Sequence, residues 1–365
     1  IALCVGRKRG AARAHLEEII WLSRTRGTVL ESEMSPQIDL NAENNSEGFF
    51  PTVSIVIPVY NGMRTIRNCL DAILAVDYPQ DRYEVIVVDN NSRDGTPEVV
   101  KQYPVKLVYE TKLQGPHAAT NTGLREVKGE IVVFTDSDCI PIKEWLQRMV
   151  APFQDPDVVA VGGQIEPYQP KTRVERFLGN EIRPFINCVE MAPGFPKSVL
   201  TGNAAYRTQA VLDVGMFNPN LYTGSEVDMA WRIQWKTGKR VVSAPEAVVY
   251  HMFSANVKRL FRHFKIYGYS EVLLATLYKD MPNYPRNSKV QAKVMLKQVR
   301  ALFTYLGSIV YRGIVGRLRG KDYDYLTLPV MWLVAESGSI YGKLLCMWHT
   351  RYYRKQFWLN GPKVI

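Results

Sequence analysis

The chain lacks what a stapled miniature domain, a zinc finger or a clean membrane span would need. Its five cysteines (Cys4, Cys69, Cys139, Cys188 and Cys346) are scattered through 365 residues with no C-x-x-C pair. That excludes a disulfide framework and a structural zinc site, and it points to a reducing compartment. Residues 1–33 carry no long apolar core, so a secretory signal is not expected there. Ala301–Tyr311 is uncharged but short, and the apolar stretch Leu326–Trp348 is interrupted by Glu336 and Lys343, so neither is a clean span. The basic residues come with no nucleic-acid-binding motif.

What is present is an ordinary globular balance, 46% hydrophobic and 22% charged, on a length that accommodates one domain of about 200–250 residues and an appendage. The net charge of +11 is uneven: from Lys289 onward thirteen Lys and Arg face only Asp322, Asp324 and Glu336, and the remainder is nearly neutral. Residues 1–33 include a basic, Ala-rich piece (Arg7, Lys8, Arg9, Arg13), Met34 is the first methionine, and 35–50 read as a polar linker. Residues 1–51 are therefore expected to be an N-terminal extension and linker, with 1–33 having no role in the fold.

From Thr52 the pattern changes. Thr52–Ile57 is a β-rich run closed by Pro58 and the turn Val59-Tyr60-Asn61-Gly62. A helix follows from near Thr65, with Ile66, Leu70, Ile73 and Leu74 on one face. Glu84–Val88 and Val105–Tyr109 read as strands, Pro116–Val127 as a small-residue helix, and Ile131–Thr135 as a strand that stops at Asp136-Ser137-Asp138. Lys143–Phe153 reads as a helix, Val158–Gly162 as a strand, and 165–197 as an irregular segment suited to a substrate groove. Leu200–Tyr206 is rich in small residues that let backbone approach a ligand, Thr223-Gly224-Ser225 caps a helix from Glu226 to Lys236, and Arg240–His251 reads as a strand pair. Strands alternating with helices at this period predict an α/β fold with a mainly parallel sheet, whose ligands bind at the carboxyl ends of the strands. Asp89 and Asp136 both stand there.

Asp136 and Asp138 flank one residue, so on an extended segment their carboxylates fall on one side and repel unless a cation sits between them. A hard divalent ion fits, and such ions commonly bridge to phosphate; D-S-D is also the composition of a solvated turn.

The order S-I-V-I-P-V-Y-N, V-V-D-N-N-S-R-D-G-T, G-x-x-x-A-T-N-x-G, F-T-D-S-D, T-G-N-A-A, G-S-E-V-D-M-A-W-R and V-V-Y-H resembles a family-2 glycosyltransferase of the GT-A fold, over about residues 52–270. The resemblance implies a Rossmann-like GT-A domain over 52–255, with Pro58, Tyr60 and Asn61 bordering the nucleotide base. It implies that Asp89 hydrogen-bonds the base, that Asp94 supports that loop, and that Asp136 contacts ribose or metal. Asp138 and His251 would complete the metal site for Mg2+ or Mn2+, and Gly202, Asn203 and Trp231 would border the acceptor. The donor would be a UDP-, GDP- or dTDP-sugar, the acceptor a glycan or lipid-linked hydroxyl, and the transfer inverting. Two departures stand out. Where the family carries Glu-Asp the chain has Ser225-Glu226, which assigns the catalytic base to Glu226 with Asp228 as the alternative. Where many relatives carry A-R-N, the chain has Ala119-Thr120-Asn121 and so lacks one donor contact.

Residues 256–365 read as a basic helical region with a basic, aromatic stretch at 256–270 (Leu260, Phe261, Phe264, Tyr267 on one side). Its Trp332 and Trp348, with flanking Arg and Lys, suit a membrane interface, which implies a location on the cytoplasmic face of a membrane. Two rivals remain at this stage. A sugar nucleotidyltransferase would need a Gly-rich basic phosphate loop after the first strand, where P-V-Y-N-G stands instead. A non-catalytic sugar-nucleotide or glycan binder would follow if Ser225-Glu226 marks a lost base. A processive synthase lacks its Q-x-x-R-W motif here.

Overall fold

Strand β1 (Val53–Val59) explains the architecture around it. Every residue of it but Pro58 is buried, with Val53, Ile55, Ile57 and Val59 facing one apolar cluster and Val56 facing another. A strand apolar on both faces has to sit inside a sheet covered on both sides. The computed structural model describes residues 49–352 apart from 183–188, 191–194, 220, 222, 254–255, 282–287 and 319–323. Residues 1–48 of the expected N-terminal extension and linker thus lie outside the described residues.

In chain order, β1 is followed by α1 (Ile66–Ile73), β2 (Tyr83–Asp89), α2 (Thr96–Val100), β3 (Lys106–Tyr109), α3 (Pro116–Leu124), β4 (Ile131–Thr135), β5 (Cys139–Pro141) and α4 (Trp145–Val150). Next come β6 (Val158–Pro167), α5 (Arg173–Phe177), the short pair β7 (Val189–Glu190) and β8 (Lys197–Ser198), β9 (Asn203–Arg207), α6 (Thr208–Asp213), α7 (Ser225–Thr237) and β10 (Arg240–His251). Three long helices close the described chain, α8 (Val257–Leu277), α9 (Ser288–Leu318) and α10 (Asp324–Tyr352). The main sheet has eight strands in the order β3-β2-β1-β4-β9-β6-β10-β5. Strands β3, β2, β1 and β4 run parallel, β9 is antiparallel to both β4 and β6, and β5 is antiparallel to β10. One apolar cluster joins the sheet to α1 and α4, the other joins it to α3, α6 and α7.

Three sequence expectations shift. Asn203–Arg207 is a central strand, buried from Asn203 to Tyr206, because its alanines lie between β4 and β6 where larger side chains would not fit. Arg240–His251 is a single strand, bent by a register shift between Ala244 and Val248 around Pro245; proline has no N–H to give the ladder. Within 165–197, β6 continues to Pro167 and α5 starts from a capping box on Thr172 and Glu175, so regular structure reaches further than the composition suggested.

The C-terminal helices pack by close backbone approach. A Cβ added to Gly338 or Gly342 would collide with the carbonyl oxygens of Phe261 and Lys265, and one on Gly268 with that of Ser339. The Gly-x-x-x-Gly spacing on α10 puts both glycines on the face that meets α8. A buried polar chain ties the third helix in: Lys343 Nζ donates to Gln298 Oε1 (2.8 Å) and pairs with Glu271 (2.9 Å), while Gln298 Nε2 donates to Glu336 (2.7 Å). No helix among the described residues is long and apolar enough to cross a membrane.

Candidate active site

The site lies where β1, β2 and β4 end and the loops of α3, α7 and β10 meet them. After β1 the chain turns through Asn61, which holds a positive φ of 50°, and Tyr60 is half exposed. This turn is tied to the loop after β2. Asn61 N–H donates to Ser92 Oγ and Asn61 Oδ1 accepts from Arg93 N–H, both at 2.8 Å, and Met63 N–H donates to Asp94 Oδ2 at 3.1 Å. Asp94 also accepts from both the amide and the hydroxyl of Thr96. Its slight burial works against the charge, but these hydrogen bonds hold its carboxyl below the usual range. Asp89, at the end of β2, is almost fully buried; Oδ2 accepts from Ser92 N–H at 3.1 Å, and Oδ1 has no hydrogen-bond partner. A buried acceptor left open is costly unless a ligand donor fills it.

Asp136 and Asp138 follow β4 as the sequence implied. His251, the last residue of β10, pairs in register with Cys139 on β5 and so arrives beside them. Its Nε2 lies 3.3 Å from Asp138 Oδ1. Burial and the neighbouring Asp138 push the Asp136 carboxyl up to about 6. Burial also works against the charge on Asp138, but the His251 imidazole pulls that carboxyl below its ordinary value; the two aspartates in turn raise His251 against its burial. Ligand atoms of Asp136, Asp138, Cys139 and His251 all lie within 4.8 Å of one another. Two carboxylates short of compensating charge, with an imidazole beside them, fit a divalent cation. Cys139 adds no thiolate: burial first, then the two aspartates, keep its thiol protonated far above neutral pH.

Glu226 stands in the first turn of α7, which starts at Gly224. That glycine holds φ 81° and an added Cβ would meet Leu274 Cδ1 at 2.9 Å, so a bulkier residue there would be strained twice over. Glu226 Oε2 is buried and lies 3.3 Å from His117 Nε2, from the first turn of α3, an ion-pair contact without an aligned hydrogen bond. Burial would raise the Glu226 carboxyl, but His117 and the α7 backbone outweigh it and the group stays below its usual range. His117 is held flat against Phe217, with ring centroids 5.3 Å apart. The charge of Glu226 is felt at Asp136, and both raise the Tyr267 phenol on α8, after burial, which is its largest cause. Glu226, Asp136 and Tyr267 are therefore near enough to act on one another electrostatically.

The remaining candidates are placed otherwise. Asp228 is buried with its carboxylate held by Arg232 (2.7 and 3.0 Å) and the Tyr278 hydroxyl. Trp231 is fully buried among Phe195, Trp235 and Tyr278. Asn203 accepts from Trp145 Nε1 and donates to the carbonyls of Gln164 and Ala247, each at 2.8 Å, so it pins β9 to the bend of β10. Gly202 lies against the carboxylate cluster, where an added Cβ would meet Asp136 Oδ2 at 3.1 Å. Thr120, at the position of the family's arginine, is buried and donates back to Pro116 O. His117 was not singled out from the sequence; its only signal was a histidine one residue beyond the Gly115-Pro116 helix start.

A DxD pair and a terminal histidine brought together at the carboxyl ends of the strands are the arrangement expected of a GT-A domain. Residues 54–215 match the pattern described as Glycosyl transferase family 2. The chain is 36% identical over 187 residues to Glycosyltransferase AglE of Haloferax volcanii, covering 48% of this chain and 59% of that protein. It is 29% identical over 244 residues to a pre-mycofactocin glycosyltransferase of Mycobacterium tuberculosis, covering 62% and 48%. The chain thus spans only about half to three-fifths of these relatives' length. The solved mannosyltransferase PcManGT from Pyrobaculum calidifontis, in complex with GDP-Man and Mn2+, shares the fold at TM-score 0.56 and 23% identity, covering 82% of this chain and 88% of that one. Residues 54–215 thus carry a domain similar to glycosyl transferase family 2.

Proposed function

We propose that the chain catalyses inverting transfer of a sugar from a nucleoside-diphosphate donor to a hydroxyl acceptor, in the synthesis of a polysaccharide, glycolipid or cell-envelope glycan. The observation that carries this reading is Glu226 Oε2: a buried carboxylate oxygen without an aligned hydrogen bond, beside His117, held below its usual range and close enough to the Asp136–Asp138–His251 cluster for its charge to be felt at Asp136. A carboxylate kept ionised accepts a proton from a hydroxyl brought to it. His117 and the α7 N-terminus hold that charge in place.

Asp136, Asp138 and His251 would hold Mg2+ or Mn2+, which supplies neutralisation of the departing diphosphate. Asp89 offers its open oxygen to an N–H of the base, and Pro58, Tyr60 and Asn61 border it on a loop kept in shape by Asp94. Asp228 and Asn203 act as framework residues, and Trp231 backs the α7 helix from within the core. Lipid-linked acceptors, and so work at the cytoplasmic face of a membrane, belong to this reading. A relative from Methanococcus voltae, 20% identical over 314 residues, is named for transfer to a dolichyl sugar phosphate.

The test is Glu226→Gln, assayed against a panel of UDP-, GDP- and dTDP-sugars with Mn2+ and Mg2+. Turnover should fall by about 10²–10⁴-fold, the usual worth of a general base, while donor binding by calorimetry is kept. Turnover equal to wild type would remove Glu226 from the chemistry.

A further inference from the structure

Helix α9 is amphipathic in a direction the fold does not use. Its inner face, with Val294, Gln298, Ala301 and Tyr305, is buried against α10, and Tyr305 stacks on Trp332. Its outer face is apolar as well. Leu296, Val299, Phe303, Leu306, Val310 and Ile314 recur every three or four residues, with Phe303 70% and Val310 62% exposed. At 100° per residue these six fall within one narrow stripe opposite the buried face, about 27 Å long. The helix carries Lys289, Lys293, Lys297, Arg300, Arg312 and Arg317 and no acidic residue in its 31 positions. Exposed Lys293 and Arg300 flank the stripe on one side.

An apolar stripe of this size beside cationic flanks is what an interfacial helix shows to a bilayer. Neither α9 nor any other described helix meets the length and apolarity of a span, so α9 lies along a surface instead of crossing it. A second copy laid on the same face would bring Lys293 and Arg300 of both chains together with no acid on α9 to pair them, whereas anionic headgroups supply the missing charge. We infer that the outer face of α9 docks flat on an anionic lipid surface, with Phe303 and Val310 inserted and Lys293 and Arg300 at headgroup level. This deepens the membrane part of the function proposed above and is independent of its chemistry.

The experiment is flotation of the full chain with vesicles of phosphatidylcholine alone or with about 30% phosphatidylglycerol. The expected result is binding to the anionic vesicles only, weakened about tenfold or more by Phe303→Asp/Val310→Asp. Lys293→Glu/Arg300→Glu should weaken it to a similar degree, and high salt should weaken the wild type. Phe303→Ser/Val310→Ser guards against an unfolding effect, and circular dichroism confirms the helices. Donor hydrolysis without vesicles should be unchanged in all three variants, which separates docking from the site's chemistry. Absence of vesicle binding overturns the inference. So does equal binding to neutral vesicles, or a dimer in light scattering that the aspartate variant makes monomeric.

Discussion

Glu336 offers a direct test of how the C-terminal helices are held. It is 4% exposed on α10. Burial pushes its carboxyl up to about 7, with Glu271 adding to the rise and the Gln298 amide and Lys343 opposing it; Tyr305 is the other titratable group nearby. A carboxyl whose folded value lies above its unfolded one binds its proton more tightly in the folded state. Its contribution to stability is therefore fully present below about pH 4.5 and is lost as pH rises through about 7. The separation between the ordinary 4.5 and about 7 corresponds to roughly 3 kcal/mol at ~1.4 kcal/mol per pH unit. Glu336→Gln keeps the shape and can still accept from Gln298 Nε2, but it has no proton to lose. Urea unfolding followed by tryptophan fluorescence at pH 5 and pH 8 should show the wild type losing about 2–3 kcal/mol across that range. The variant should lose at most about 1 kcal/mol. Equal slopes for the two proteins would refute the reasoning, because the pH dependence would then come from another group.

Other perturbations separate framework from chemistry. Gly342→Ala puts a methyl group into the Lys265 carbonyl, so α8 and α10 must part; a loss of at least about 2 kcal/mol is expected in thermal melting, against little change for an exposed Gly307→Ala. Asn203→Leu leaves Trp145 Nε1 and two carbonyls unpaired, at a cost of about 2–4 kcal/mol. If Asn203 instead contacts the acceptor, the KM for the acceptor will move while stability does not. Chelation should abolish sugar transfer and added Mn2+ restore it, and Asp138→Ala should lower turnover about 100-fold even with excess metal. Full activity of that variant at limiting Mn2+ would count against the cluster as the metal site.

Much of the cluster at the strand ends was legible in the chain itself. Runs such as Ile131–Thr135 are β-branched and aromatic, buried on both faces, and end at acids, so the pattern of a few residues specifies both a strand and the edge where its carboxylates emerge. Local turn chemistry likewise placed Asp94 in the loop that carries it. The residues whose surroundings were not legible are those whose partners lie far along the chain. Asn203 and Trp231 had polar and aromatic side chains in suggestive motifs, but the bend of β10 and the Tyr278 helix claim them for the core. Arg240–His251 read as two strands because Pro245 interrupts it, while the bulge that accommodates the proline is created by the neighbouring β6.

The amino-acid sequence by itself determined the alternating α/β order, the strand-end acids, the charge concentrated in the C-terminal region and the resemblance to family-2 glycosyltransferases. These follow from periodicity and composition, which act over a few residues. Only the tertiary structure decided that His117 meets Glu226 across more than a hundred residues, that β9 runs antiparallel through the sheet, and that α9 keeps one apolar face outward. Those outcomes depend on which surfaces the rest of the chain covers: burial is a property of the packed whole, and a side chain's charge, hydrogen bonds and exposure take their values from it.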